Sequence, residues 1–525
     1  MNTKNTKQGN IADSQSFFAS DLFHAVQMAG LFKDSKTFAD AEAKRPWSEI
    51  YQHYAQASGQ GHVDLRAFVS EHFILPAPPG PLSPIPSANV RQQIQQLWQT
   101  LEKQPDRVKH DSLLPLPHPY LVPGGRFREI YYWDSYFTAL GLVKSNRADL
   151  VHSMLQNFIA LQSQVGTIPN GNRSYYISRS QPPILSLMVE LLYEHADLIA
   201  RKNEFLMMAV AAMQTEHAFW MRDAEQLSVE SQTSRRVVRM PNGAILNRYW
   251  DSQASPRAES YREDIEAASA LPEALQADYY RNIRAACESG WDFSSRWLAD
   301  ANSLLTIKTT DLVPVDLNSL LYKLETLLAE YCQVLHRSDD SLYYQTLAQQ
   351  RKDAINQYLW NEQQGCYLDF DWARNTTSPV VSLATSVPLF VQLATPTQAG
   401  HIAALIEKRF LQTGGLISTL HDSHQQWDSP NGWAPLHWFS TTGLSHYGHN
   451  TLATTIMRRW IATVEKQFSL HGNLMEKYNV VATTETAQGG EYEVQHGFGW
   501  TNGVTLAYYH FLDSLGDVRA INSLR

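Results

Sequence analysis

Leu317, Leu320, Leu321, Leu324, Leu327, Leu328 and Tyr331 recur at i, i+3, i+4, i+7, i+10, i+11 and i+14. That spacing lays one apolar stripe along a helix over 317–335, with Asp316 expected as its N-cap. The same period predicts helices over Val90–Leu101 and over 148–161, 184–198, 204–221, 396–410, 448–468 and 501–515. Strand-like alternation is scarce, with 365–371 and 415–420 as the only modest candidates, and no repeat of 20–50 residues is visible. The expected fold is therefore all-α, long helices joined by loops rich in Gly, Asn, Trp, Arg and carboxylates. A helical toroid with its chemistry on the loops at one end fits that alternation.

Composition narrows the partners. Of 525 residues, 43 are Lys or Arg against 52 Asp or Glu, a net charge of −9 that leaves no basic footprint for nucleic acid. With 43% hydrophobic residues the chain can bury a large core. Its longest apolar run, 205–213, is too short to cross a bilayer and reads as a buried core helix, so no membrane partner is expected. Three scattered cysteines make no disulfide framework, and the first residues show no apolar signal region. Both point to a cytoplasmic protein. The Pro-rich stretch 73–89 forbids a helix and reads as a wrapping segment or linker. It opens the main body, residues 71–525, after an N-terminal arm, residues 1–70.

Phosphate-loop, dinucleotide, zinc-protease and serine-hydrolase motifs are absent, and His421 with His424 lacks a ligand pattern around it. Neither metal nor cofactor is expected. Chemistry concentrates instead in a few segments: PGGRFREIYYWDSY at 123–136, IPNGNRSYYISRSQPP at 168–183, RAESY at 257–261, ESGWDFSSRW at 288–297, QWDSPNGWAP at 426–435, MEKY at 475–478 and GGEY at 489–492, leading to GFGWTNG at 497–503. Aromatic faces beside polar edges suit a sugar. Asp292 between Trp291 and Phe293 has apolar neighbours that would keep a carboxyl protonated. Two carboxylates on separate loops without a metal fit glycoside hydrolysis. Residue types alone do not choose the sugar. Taken singly, Trp133 and Trp433 could be core, and Arg126, Arg179 and Arg257 could pair internally.

The segments 123–136 and 426–435 resemble the two signature segments of the trehalases, and the remaining loop motifs follow in the same order from about residue 70 to 515. The resemblance, closest in character to bacterial cytoplasmic trehalases, implies an (α/α)6 barrel with an N-terminal extension. It implies a glycoside hydrolase splitting α,α-trehalose into two glucose molecules with inversion, acting as a monomer. It makes Asp292 the general acid and Glu476 the general base, which in an inverting enzyme stand about 6.5–9.5 Å apart. It gives sugar contacts to Arg126, Phe127, Trp133, Asp134, Asn170, Arg179, Gln181, Arg257, Glu259, Gly290, Trp433 and Glu491. Three positions depart from the family's pattern: a shorter glycine run before Glu491, His437 in place of Gln, and Asn479 in place of Asp.

Overall fold

The computed structural model describes residues 11–61, 63–77, 89–195, 201–487 and 489–523. Six helices close into a ring: Tyr132–Lys144 (α2), Leu185–Glu194 (α4), Val315–Val334 (α6), Val387–Phe390 (α8), Ala434–His446 (α10) and Gly499–Ser523 (α12). Each packs on the next, and α12 returns to α2. A second helix accompanies each of them in the chain: Val90–Leu101 (α1) before α2, then Ala148–Val165 (α3), Lys202–Trp220 (α5), Ser338–Tyr358 (α7), Pro396–Leu405 (α9) and Asn450–His471 (α11). This is an (α/α)6 barrel. Strands among the described residues are two or three residues long and form two- or three-stranded sheets.

Inner and outer helices differ as their sequences require. In α2 every residue from Tyr132 to Val143 is buried, so its apolar residues run round the whole helix and leave no stripe. On the outer α5, Met207 is 56% exposed, which corrects the expectation that 205–213 is wholly core. The closest approach is between α2 and α12. A Cβ on Gly141 would come within 2.6 Å of the Gly503 Cα, and one on Gly503 within 2.0 Å of the Phe137 carbonyl oxygen. Only glycine at both positions lets the two backbones touch and the ring close.

Asp316 lies inside the first turn of α6, whose N-cap is Pro314, and is buried against the Arg296 guanidinium at 2.8 Å. The expected cap is instead half of an ion pair. Helix α9 ends at Leu405, where the chain widens into a π turn over Ile406–Phe410. The expected helix 184–198 is described to Glu194, and residues 78–88 of the Pro-rich stretch lie outside the described residues.

The N-terminal residues fold into helices Asp21–Met28, Trp47–Gly59 and Leu65–His72. Ser20 and Asp64 cap the first and third, each side chain accepting from the backbone N–H three residues on. Phe17, Phe23, Phe38, Trp47 and Phe73 form an apolar cluster separate from the barrel core, and it closes on Tyr131, Tyr175, Tyr176 and Ala258 of the body.

Candidate active site

All of the loops that carry the sequence motifs run from an outer helix to the N-terminus of the next inner one. They therefore gather at one end of the barrel, where backbone N–H groups of the inner helices also point. A cavity opens there, and its lining includes all fourteen residues singled out from the sequence: Arg126, Phe127, Trp133, Asp134, Asn170, Arg179, Gln181, Arg257, Glu259, Gly290, Asp292, Trp433, Glu476 and Glu491.

Asp292 is placed by a chain of restraints. Gly290 ends the helix Glu273–Ser289 with φ +75°, and a Cβ there would lie 2.6 Å from Trp133 Cε2. The second signature segment then clamps the following loop: Gln426 Nε2 donates to the Asp292 carbonyl, the Trp427 N–H donates to the Phe293 carbonyl at 3.0 Å, and Asp428 accepts from the Ser294 hydroxyl and the Ser295 N–H at 2.7 Å each. Asp428 also accepts from the hydroxyls of Thr419 and Ser423, so its carboxylate is the knot between two loops. Arg296 anchors the far end, pairing with Asp316 and Asp369 through four hydrogen bonds of 2.7–2.8 Å. Burial, reinforced by the negative charge of Glu491, pushes the Asp292 carboxyl up to about 7. Near neutrality it is half protonated and can give a proton.

Glu476 is buried and held on both oxygens. Oε1 accepts from the Tyr492 hydroxyl at 2.9 Å, and Oε2 meets Lys477 Nζ at 3.2 Å. Its backbone carbonyl accepts from Trp500 Nε1 at 2.8 Å, and its N–H donates to the Gln495 carbonyl at 2.9 Å. The short ladder pairing Asn431 with Asn479 and Gly432 with Tyr478 ties this loop to the second signature segment. Lys477 continues to Gln426 Oε1 at 2.8 Å, so one glutamine side chain touches the loops of both carboxylates.

The arginines do pair internally and line the cavity as well. Arg257 forks between Asp264 at 2.6 Å and Glu491 at 2.9 Å; Arg179 reaches Glu259 at 2.6 Å and Asn170 at 3.0 Å. Burial raises the Glu259 carboxyl, but Arg179, Arg257 and Arg284 outweigh it and hold Glu259 below the usual range. Asp134 has no such relief. Burial drives its carboxyl well up, with Glu476 and Asp292 adding repulsion. Arg126 Nε, Arg179 Nη1 and Glu259 Oε2 are buried with no hydrogen-bond partner among the described residues. Arg179 Nη1 stands 3.5 Å from Asp251 Oδ2 in a buried ion pair, so Arg126 Nε and Glu259 Oε2 remain as a donor and an acceptor suited to hydroxyl groups.

Tryptophans floor the site. Trp427 and Trp433 stack at 3.9 Å with planes 2° apart, and Trp291 and Trp133 pack against Trp427 at 5.4 and 5.8 Å. Sequence reasoning missed Lys36, Tyr131, Tyr176, Ser260, Cys287, Trp427, Tyr492, Phe498 and Trp500, which complete the lining. Seven of the nine lie within the motif segments; Lys36 had no local signal at all. His437 is not among the lining residues. It is buried on α10, its Nε2 accepting from the Leu416 N–H at 2.8 Å and its Nδ1 meeting the Trp433 carbonyl, and burial lowers its imidazole to about 4. Asn479 Oδ1 accepts from the N–H groups of Val481 and Ala482 and shapes a turn. Of the shortened glycine run, residue 488 lies outside the described residues.

A family model described as trehalase matches residues 30–516. The chain is 45% identical over 486 residues to a protein named periplasmic trehalase from Citrobacter koseri, covering 92% of this chain and 84% of that one. A periplasmic trehalase from Escherichia coli matches at the same identity, with 85% of its length covered. Among solved structures, neutral trehalase Nth1 from Saccharomyces cerevisiae superposes with a TM-score of 0.62 at 28% identity, over 75% of this chain and 73% of that one. GH63 mannosylglycerate hydrolase from Thermus thermophilus shares the fold, with a TM-score of 0.54 at 18% identity over 80% of this chain and all of the other.

These relatives overturn the cytoplasmic expectation and the likeness to cytoplasmic trehalases, since they point to the periplasm instead. The cysteine cue failed for a physical reason. Cys287, Cys332 and Cys366 are all buried and unpaired, and a barrel with so large a core needs no disulfide in either compartment.

Proposed function

This chain belongs to the trehalase family, and from that premise we propose how its cavity works. The chain is a glycoside hydrolase that splits α,α-trehalose into two glucose molecules with inversion. Asp292, protonated, gives its proton to the bridging oxygen. Glu476, ionised, takes a proton from the water that attacks the anomeric carbon on the opposite face, so one α- and one β-glucose leave. The observation that carries this reading is the contrast between the two carboxyls. One is raised to about 7 by burial and Glu491, whereas the other has both oxygens held by Tyr492 and Lys477. A pair whose environments differ in this way supports an acid and base division.

Arg126 and Glu259, with their unspent polar atoms, bind sugar hydroxyls together with Asn170, Arg179, Gln181, Arg257 and Glu491. Phe127, Trp133 and Trp433 offer apolar faces, Gly290 leaves room for Trp133, and Asp134 offers its carboxyl to a hydroxyl. The working unit of this proposal is a monomer. No helix among the described residues is long and apolar enough to cross a membrane. The separate apolar cluster supports an N-terminal arm on a catalytic barrel, and since the helix Leu65–His72 and Phe73 belong to that arm, its edge lies a few residues beyond the expected bounds of 1–70 and 71–525.

Glucose release from trehalose, maltose and trehalose 6-phosphate by the purified chain tests the substrate. Trehalose alone, or trehalose strongly preferred, is the expected result; preferred cleavage of maltose would replace trehalose with another glucoside.

A further inference from the structure

Lys36 belongs to the arm, yet it lines the cavity of the barrel. Its ammonium has three protons and spends all of them: on Asp40 Oδ2 at 2.6 Å, Glu129 Oε1 at 2.7 Å and the Tyr175 hydroxyl at 3.0 Å. Nothing remains for a sugar hydroxyl, so any effect of Lys36 on the site passes through its partners. Glu129, fully buried, passes it on. The Tyr131 hydroxyl donates to its Oε1 at 2.5 Å, and Arg173 Nε donates to Oε2 at 3.3 Å. Tyr131 then meets the Tyr176 hydroxyl at 2.7 Å, and the Arg179 guanidinium stands 5.1 Å from the Tyr176 ring centre. Tyr131 and Tyr176 both line the cavity.

The cluster is balanced, Lys36 and Arg173 against Asp40 and Glu129, so it lends the cavity no net charge and acts by fixing geometry. A second contact from the same segment reaches Arg126 on the cavity wall: Asp34 Oδ2 lies 4.0 Å from Arg126 Nη2. The segment is itself pinned to the 257–263 loop, with Ser35 Oγ donating to Glu263 at 2.6 Å.

We propose that arm residues Asp34 and Lys36 are positioning residues of the sugar site, Asp34 orienting Arg126 and Lys36 fixing the Glu129–Tyr131–Tyr176 chain under Arg179. This rests on the trehalase reading above. It differs from a purely stabilising role for the arm, which would leave the affinity of folded protein unchanged.

Turnover and calorimetric binding of trehalose are measured on full-length Lys36→Met, Lys36→Arg and Asp34→Asn proteins whose circular dichroism matches the unaltered chain. Lys36→Met raises KM about tenfold while kcat stays within about threefold, and Lys36→Arg restores most of the loss. An unchanged KM in folded Lys36→Met overturns the proposal. Should Lys36→Met not fold, Asp34→Asn decides, because Asp34 is partly exposed and an asparagine keeps the Oδ1 that caps Thr37 at 2.9 Å. A KM raised about threefold supports the proposal and an unchanged one overturns it. Unaltered protein that neither binds nor cleaves trehalose removes the functional reading as well, whereas normal turnover with unchanged KM in the variants removes only this inference.

Discussion

The Tyr492 hydroxyl donates to Glu476 Oε1 at 2.9 Å, while the Tyr492 ring lies 4.9 Å from the Arg126 guanidinium carbon. Its neighbour Glu491 is paired with Arg257 at 2.9 Å. Two consecutive side chains of one loop thus touch the proposed base and two of the proposed sugar arginines. Loss of a hydrogen bond to a charged group costs about 1.5–3 kcal/mol. Tyr492→Phe, which removes only the hydroxyl, is expected to lower kcat roughly 10- to 100-fold with a smaller change in KM, as steady-state kinetics will read.

Activity should fall as pH rises through about 7, because Asp292 must be protonated to act and burial with Glu491 places its carboxyl there. Glu491→Gln removes the second of those causes and frees Arg257, which lowers the carboxyl. The alkaline limb of kcat/KM should therefore move to lower pH, and a limb that stays in place would separate Asp292 from the titration. The same shift has a cost in stability. A carboxyl raised on folding destabilises the native state progressively as pH rises from its unfolded value near 4 to about 7. Asp292→Asn should raise Tm at pH 8 and change it little at pH 4, while lowering kcat about 10²- to 10⁴-fold.

Gly290→Ala tests the packing that sets Asp292. The added Cβ meets the Trp133 ring at 2.6 Å and occupies a left-handed backbone position at φ +75°. About 1–2 kcal/mol of strain is expected from the backbone alone, more with the clash, and thermal unfolding will measure it. Activity should fall with it, since Trp133 lines the cavity.

Asp428→Asn probes the knot between the 294–295 and 419–423 loops. The amide cannot accept from all of Ser294, Ser295, Thr419 and Ser423 as the carboxylate does. A loss of about 2–4 kcal/mol is expected in denaturant unfolding, with a reduced kcat in the folded fraction because the acid's loop is loosened. Arg296→Met leaves Asp316 and Asp369 buried without their cation, and about 3–5 kcal/mol should go with it.

The helical period marks the outer α1, α3, α5, α9 and α11 and also the inner α4, α6 and α12, and it passes over the inner α2, α8 and α10 and the outer α7. Val90–Leu101 has its bounds where the period puts them, because one face is buried and the other wet. Helices α2 and α10 are buried nearly all round, so the period that marks a helix is erased, and both were read as loops carrying a motif. Ser338–Tyr358 escapes the period for the opposite reason: few of its residues are buried. All fourteen residues chosen for the site line one cavity, since motif order carries three-dimensional proximity that pattern cannot. Lys36 was invisible because its partners Glu129 and Tyr175 stand far along the chain and no local motif surrounds it.

Proton NMR of the purified chain with α,α-trehalose, reading the anomeric signals before mutarotation mixes them, tests the central claim most directly. Equal early amounts of α- and β-glucose are expected from an inverting hydrolase with Asp292 as acid and Glu476 as base. Early release of α-glucose alone would contradict inversion, and trehalose left intact by a folded, sugar-binding protein would contradict the hydrolase itself.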